Sequence, residues 1–282
     1  MILLYNYLGD NMLIRIIKYL FFGLVQGFTE PLPISSSGHL YLVRYLLNTD
    51  AFNDLNFEII LNFASFIAIA YIFRKDILEL LKSFFLYITD KSKRDNKKIK
   101  NGFKYCLLII VGSIPAGIIG VLFKDQIEAL INPYLLAVCF IITAIMLLVV
   151  RKKDGSKKDD EITYVDALII GLFEMVALMP GISRSGACLV GALLVGLKKE
   201  SAIKYSFMLY LPVSIGSFVF SLDEINSIGG DLLAPYMVGF LASMAMTYFA
   251  TFWFIDTVKK GKLHRFSIYL IVLATLILLF VR

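Results

Sequence analysis

Gly23-Leu-Val-Gln-Gly-Phe-Thr-Glu-Pro-Leu-Pro-Ile-Ser-Ser-Ser-Gly-His39 has an imperfect copy later in the same chain, Gly171-Leu-Phe-Glu-Met-Val-Ala-Leu-Met-Pro-Gly-Ile-Ser-Arg-Ser-Gly-Ala187. Aligned without gaps, Gly23, Leu24, Ile34, Ser35, Ser37 and Gly38 fall on identical residues at Gly171, Leu172, Ile182, Ser183, Ser185 and Gly186. Each copy interrupts an apolar helical run with proline and follows the break with hydroxyls. Broken helices inside a hydrophobic protein are tolerated where they are buried in protein or line a cavity. A pair of them in corresponding halves points to a binding site.

The 282 residues are 59% hydrophobic and 18% charged, and long apolar runs recur. That places the chain among multi-span helical membrane proteins. The first 22 residues carry Asp10, Arg15 and Lys18 and no small-residue cleavage site, so a removable signal peptide is not expected. Cys106, Cys139 and Cys188 lack paired spacing and read as packed free thiols. The net charge of +6 raises the question of nucleic acid, but its distribution argues against that partner. Ten basic residues lie between Arg74 and Lys104, five between Arg151 and Lys158, three between Lys198 and Lys204 and four between Lys259 and Arg265. The alternate connections, Asp50 to Glu58, Lys124 to Glu128 and Asp223 to Asp231, are acidic or nearly neutral. This asymmetry is the positive-inside pattern and assigns the basic loops to the cytoplasm.

Six segments approach the ~20 residues needed to cross a bilayer: Phe57–Phe73, Tyr105–Phe123, Tyr134–Val150, Tyr205–Phe220, Tyr236–Thr257 and Phe266–Val281. With the basic loops inside, the two motif segments must enter and leave on one face. The expected fold is therefore an all-α multi-pass membrane protein, a single membrane domain over residues 1–282. It comprises two inverted repeats, 12–150 and 162–281, each a re-entrant helix pair plus three transmembrane helices. Asp90 to Asn101 reads as a charged, mobile cytoplasmic loop.

Pro31 and Pro33 stop the helix carrying Gln26 and Glu30. Ser35, Ser36 and Ser37 then stand where an N-cap is wanted for the helix through Gly38 and His39. Pro180-Gly181 makes the second break, and Ser183-Arg184-Ser185 opens the next helix. Opposed helix starts offer free N–H groups and partial positive charge, which favour an anion, and Arg184 adds a planar fork suited to phosphate oxygens. Close packing or capping explains Ser35, Ser37, Ser183 and Ser185 as well as ligand contact does. Packing does not explain Glu30, His39 or Arg184, since ionisable groups within membrane segments mark pathways or sites. The set suits phosphoryl chemistry, with Ser36 attacking phosphorus while Glu30 or His39 manages the proton. A transporter or flippase for a lipid phosphate would use the same anion site, and spacing alone leaves both open.

These residues resemble the signatures of the undecaprenyl-diphosphate phosphatase, or bacitracin-resistance, family: Gln26-Gly-Phe-Thr-Glu30 with Pro33-Ile-Ser-Ser-Ser-Gly-His39, and Pro180-Gly-Ile-Ser-Arg-Ser-Gly186. The resemblance covers essentially the whole chain. It implies a membrane enzyme that removes one phosphate from a polyprenyl diphosphate and so recycles the carrier lipid for cell-envelope glycan synthesis. It further implies interlocked inverted repeats, a site open to the extracytoplasmic side of the plasma membrane, and an assisting divalent cation, magnesium or calcium. By motif position, Glu30, Ser36, His39 and Arg184 become the catalytic set, with Ser36 favoured as nucleophile. Gln26, Ser35, Ser37, Gly181, Ser183 and Ser185 become substrate contacts. Glu30 and Glu174 are the expected cation ligands, because Gln26 stands where glutamate is common and Glu174 occupies its symmetry mate. The expected partners are the lipid substrate, the bilayer and a second copy of the chain in a homodimer.

Overall fold

The computed structural model describes residues 12–47, 55–220 and 232–281. The acidic connection Asp223 to Asp231 lies outside them, as does most of Asp50 to Glu58. In chain order the helices are α1 Met12–Thr29, α2 Ser36–Leu47, α3 Leu55–Ile72, α4 Arg74–Thr89, α5 Lys97–Ala129, α6 Pro133–Val150, α7 Tyr164–Val176, α8 Arg184–Leu194, α9 Lys199–Phe220, α10 Leu233–Lys259 and α11 His264–Phe280. Among the described residues the sole β pairing is an isolated parallel bridge, Lys157 with Leu197.

Five helices (α1, most of α5, α6, α9 and α10) are long and apolar enough to cross a membrane, and α3 with α4 makes six if that bent pair is one span. The fold is therefore all-helical and multi-pass. Three features differ from the sequence reading. First, α1 is itself of crossing length, although its sequence was assigned to a re-entrant pair. Second, α4 is a separate amphipathic helix meeting α3 at 78°. Its Phe84 and Tyr87 stack on Phe103 of α5 with ring centroids 5.5 and 4.1 Å away. The charges at Arg74, Lys75, Asp76, Glu79 and Lys82 disguise this helix as loop when the segment is read for hydropathy alone. Third, the loop expected over Asp90 to Asn101 is short and ordered. Asp90 accepts the Ser92 backbone N–H at 3.1 Å, Lys91–Lys93 forms a 3₁₀ turn, and α5 has begun by Lys97.

The interior is apolar and shared among helices distant in sequence. Leu136, Phe140 and Leu147 of α6, Ile170 of α7, Tyr205 and Leu209 of α9 and Leu270 of α11 belong to one buried cluster. Outward-facing Phe85, Ile118, Val149, Phe249 and Leu279 are exposed. For a chain with crossing-length helices, that apolar exterior is the lipid-facing surface.

Two close backbone contacts tie the motif helices to the rest. Gly23 of α1 packs on the backbone of Gly239 in α10, and Gly171 of α7 packs on the backbone of Gly112 in α5. A Cβ at either motif glycine would collide with a carbonyl, so only glycine permits this approach. Gly23→Leu or Gly171→Leu should lower the thermal midpoint of the detergent-solubilised protein, overpacking costing about 1–3 kcal/mol. Gly117→Ala, where a Cβ meets nothing within 4 Å, should leave the midpoint unchanged or slightly raised.

Candidate active site

Pro31 and Pro33 end α1 just past Thr29, and the chain crosses to α2 through Ser35, which adopts a left-handed conformation at φ 68°. A non-glycine residue there is strained and needs neighbours to hold it. Its hydroxyl accepts the Gly38 N–H at 3.4 Å and so caps α2. Its carbonyl accepts the His39 backbone N–H at 3.2 Å and lies 2.7 Å from His39 Nδ1. The turn makes Ser36 the first residue of α2, and the Ser36 hydroxyl donates a hydrogen bond to Glu30 Oε2.

In the second break, Gly181 takes φ 95°, and Leu136 and Cys139 of α6 fill the space that a Cβ there would need. Ser183 caps α8, its hydroxyl accepting the Gly186 N–H at 3.1 Å. The two breaks then meet. Ser183 and Ser185 donate their hydroxyls to the Leu32 carbonyl at 3.3 and 2.8 Å. That carbonyl also accepts the Ile34 N–H at 2.8 Å, so the two serines add donors from the second break to a carbonyl already paired within its own turn.

Arg184 reaches Glu30 Oε1 at 3.5 Å and the Ser214 hydroxyl at 3.4 Å, and its guanidinium lies 4.8 Å from the centre of the Tyr210 ring. Both hydrogen bonds exceed the usual 2.7–3.2 Å range, so the fork is aimed but not saturated. Gln26 donates to Glu30 Oε2 at 2.9 Å and to Asn62 Oδ1 at 2.7 Å. Between these groups lies a small enclosed cavity of ≈ 20 Å³, lined by Glu30, Arg184, Ser185 and Tyr210 among others. It has room for about one water.

The structure thus gathers Gln26, Glu30, Ser36, Arg184 and Ser185 in one place. Ser35 and Ser183 cap their helices, the use that the sequence leaves open beside substrate contact, and Gly181 forms the second turn. Ser37 is exposed, with its hydroxyl 3.3 Å from that of Ser35. His39 is buried and engaged away from Glu30, its Nε2 2.7 Å from the Tyr269 hydroxyl.

Glu174 is not brought to Glu30. It is fully buried, and neither carboxyl oxygen has a hydrogen-bond partner. The gap-free alignment explains the difference: Gln26 contacts Glu30 four residues on, whereas Glu174 has Leu178 there. Among the described residues no group of three histidine, cysteine, aspartate or glutamate side chains could hold a metal. The Glu30 carboxylate and Asn62 amide oxygen are hard donors suited to magnesium or calcium, provided that other ligands come from phosphate oxygens or water.

Four functional candidates escaped the sequence reading: Asn62, Tyr210, Ser214 and Tyr269. Asn62 carried a usable signal, an amide in the middle of a membrane span. The tyrosines and Ser214 are common in such helices and stand out only once the fold brings them to Arg184 and His39.

The sequence profile described as "Bacitracin resistance protein BacA" matches residues 19–276, nearly the whole chain and both breaks. The chain belongs to this family. It is 43% identical over 269 residues to Undecaprenyl-diphosphatase 1 of Bacillus licheniformis, covering 94% of this chain and 98% of that protein. Undecaprenyl-diphosphatase 1 of Bacillus cereus is 41% identical over 268 residues, 94% of this chain and 97% of its own length. Undecaprenyl-diphosphatase of Oceanobacillus iheyensis is 38% identical over 270 residues, 94% and 96% respectively. Neither the fold nor these likenesses support the expected homodimer.

A buried carboxylate without hydrogen bonds lowers stability. Glu174→Met should therefore raise the thermal midpoint in detergent, by an equivalent of about 1–3 kcal/mol. A lowered midpoint would mean that the carboxylate makes a stabilising contact.

Proposed function

We propose that the protein is a polyprenyl-diphosphate phosphatase acting on undecaprenyl diphosphate, which releases inorganic phosphate and returns the monophosphate carrier for cell-envelope glycan synthesis. The observation that carries this reading is the pairing of an activated hydroxyl with an unsaturated guanidinium: Ser36 bound to Glu30, and Arg184 touching the same carboxylate at only 3.5 Å. The names and near full-length likeness of the relatives support the substrate.

In this reading the Ser36 oxygen attacks the terminal phosphorus and its proton passes to Glu30. The bond from phosphorus to the bridging oxygen breaks, and the polyprenyl monophosphate leaves. Water then attacks the phosphoserine, Glu30 returns its proton to the departing Ser36 oxygen, and the water proton ends on the released phosphate. Arg184 binds the equatorial oxygens bidentately, with backbone N–H groups at the start of α8 adding to the positive field. Tyr210 beneath the guanidinium fixes its plane. A divalent cation, held by Glu30 together with substrate oxygens, would neutralise diphosphate charge. Glu174, which does not line the cavity, is given no part in holding the cation.

The architecture proposed around this site is a pair of inverted repeats, 12–150 and 162–281, each opening with a re-entrant pair. The reciprocal contacts Gly23 with Gly239 and Gly171 with Gly112 support it, because each motif helix packs on a span of the other half. The charge pattern supports a site opening on the extracytoplasmic face.

Phosphate release from undecaprenyl diphosphate by the purified protein in detergent separates a phosphatase from a lipid-phosphate flippase, since only transport needs a sealed membrane. Release is expected; its absence with retained lipid binding would favour the flippase. Arg184→Lys should lose at least tenfold in kcat/KM, because an ammonium cannot reproduce bidentate contact. Ser36→Ala should abolish turnover while leaving lipid binding intact. Substantial activity in Ser36→Ala would remove Ser36 as nucleophile. For orientation, cysteine at Asp95 should resist an impermeant thiol reagent on intact cells and cysteine at Asp125 should react; the reverse pattern would invert the topology.

A further inference from the structure

The His39 ring is held at both nitrogens, and one holder comes from the far end of the chain. Nδ1 lies 2.7 Å from the Ser35 carbonyl, which can only accept, so Nδ1 carries the proton. In the neutral ring Nε2 is then a lone-pair acceptor. The Tyr269 hydroxyl, 2.7 Å away, supplies the donor. The two rings also stack, with centroids 5.7 Å apart and planes 12° from parallel. Tyr269 lies on α11, 230 residues from His39, and neither sequence motif contains it.

What this contact holds is the left-handed turn. The Ser35 carbonyl receives both the His39 backbone N–H and the ring Nδ1–H, at the one described non-glycine residue with positive φ. A residue in that conformation persists only where its surroundings over-determine it. The following residue is Ser36, whose hydroxyl direction is set by the same turn. The geometry points to Tyr269 as a positioning residue: its hydroxyl holds the Nδ1–H form of His39, His39 holds the Ser35 turn, and the turn aims Ser36 at Glu30. His39 is then a structural clamp rather than the attacking group. The kinetic part of this inference rests on the phosphatase reading; the hydrogen bonding does not.

The variant Tyr269→Phe keeps the stacked ring and removes only the hydroxyl. In detergent with undecaprenyl diphosphate, kcat should fall by about three- to tenfold, the range expected for one lost hydrogen bond, with KM nearly unchanged. In the His39→Ala background the same change should cost nothing further, since the relay is already cut. The chain has two histidines, so ¹⁵N-histidine labelling of a His264→Gln protein isolates the His39 ring. Its spectrum should show a protonated Nδ1 and a hydrogen-bonded Nε2, and Tyr269→Phe should shift the Nε2 resonance towards that of a free lone pair. An unmoved Nε2 resonance, an unchanged kcat, or losses that multiply with His39→Ala would overturn the inference. Failure of the wild-type protein to release phosphate would instead defeat the phosphatase reading, and the resonance would still decide the contact.

Discussion

The contact between two broken helices governs this structure. Proline removes backbone donors and leaves carbonyls without helical partners, and an apolar interior offers no water to replace them. The chain presses one break against the other, so that Ser183 and Ser185 donate to the Leu32 carbonyl beside the Ile34 N–H of its own turn. The same apposition brings Arg184 of the second break to Glu30 of the first. The pairing that bonds the two breaks therefore also brings a guanidinium to a carboxylate and hydroxyl more than a hundred residues away in sequence.

Such apposition is possible only because the flanking helices approach their neighbours closely. Gly23 on Gly239 and Gly171 on Gly112 let α1 and α7 sit nearly backbone to backbone against α10 and α5. Close packing of this kind is a main source of helix association where hydrophobic burial gives no preference for protein over lipid. With both motif helices locked, the small cavity at their junction has room for about one water. A diphosphate must therefore displace the long Arg184 contacts, and 3.5 Å and 3.4 Å bonds yield more readily than ideal ones.

Much of this was legible before any coordinates. The internal repeat located both breaks, the ionisable residues within them named Glu30 and Arg184, and the apolar runs found α5, α6, α9 and α10, four of the five crossing-length helices among the described residues. Other features were not legible for physical reasons. Helix α4 hid because charge at one helical face suppresses mean hydropathy while the opposite face still packs on Phe103. Ser35 and Ser183 could not be divided between capping and ligand contact, because a hydroxyl at a helix start serves either purpose. Tyr210 and Tyr269 escaped because no local pattern marks an aromatic residue whose partner lies on another helix. Glu174 makes no hydrogen bond, and where its symmetry mate Gln26 reaches Glu30 four positions on, Glu174 has leucine there.

The central claim is that Glu30 and Arg184, from opposite breaks, act as one unit on the substrate. A double-mutant cycle with Glu30→Gln and Arg184→Gln, read as kcat/KM for phosphate release at matched expression, tests it most directly. If the two residues share one phosphoryl group and one contact, the double variant should be little worse than the poorer single variant. Losses that simply multiply would mean that the two side chains work independently, and that the junction of the breaks holds the fold together without being the site of the chemistry.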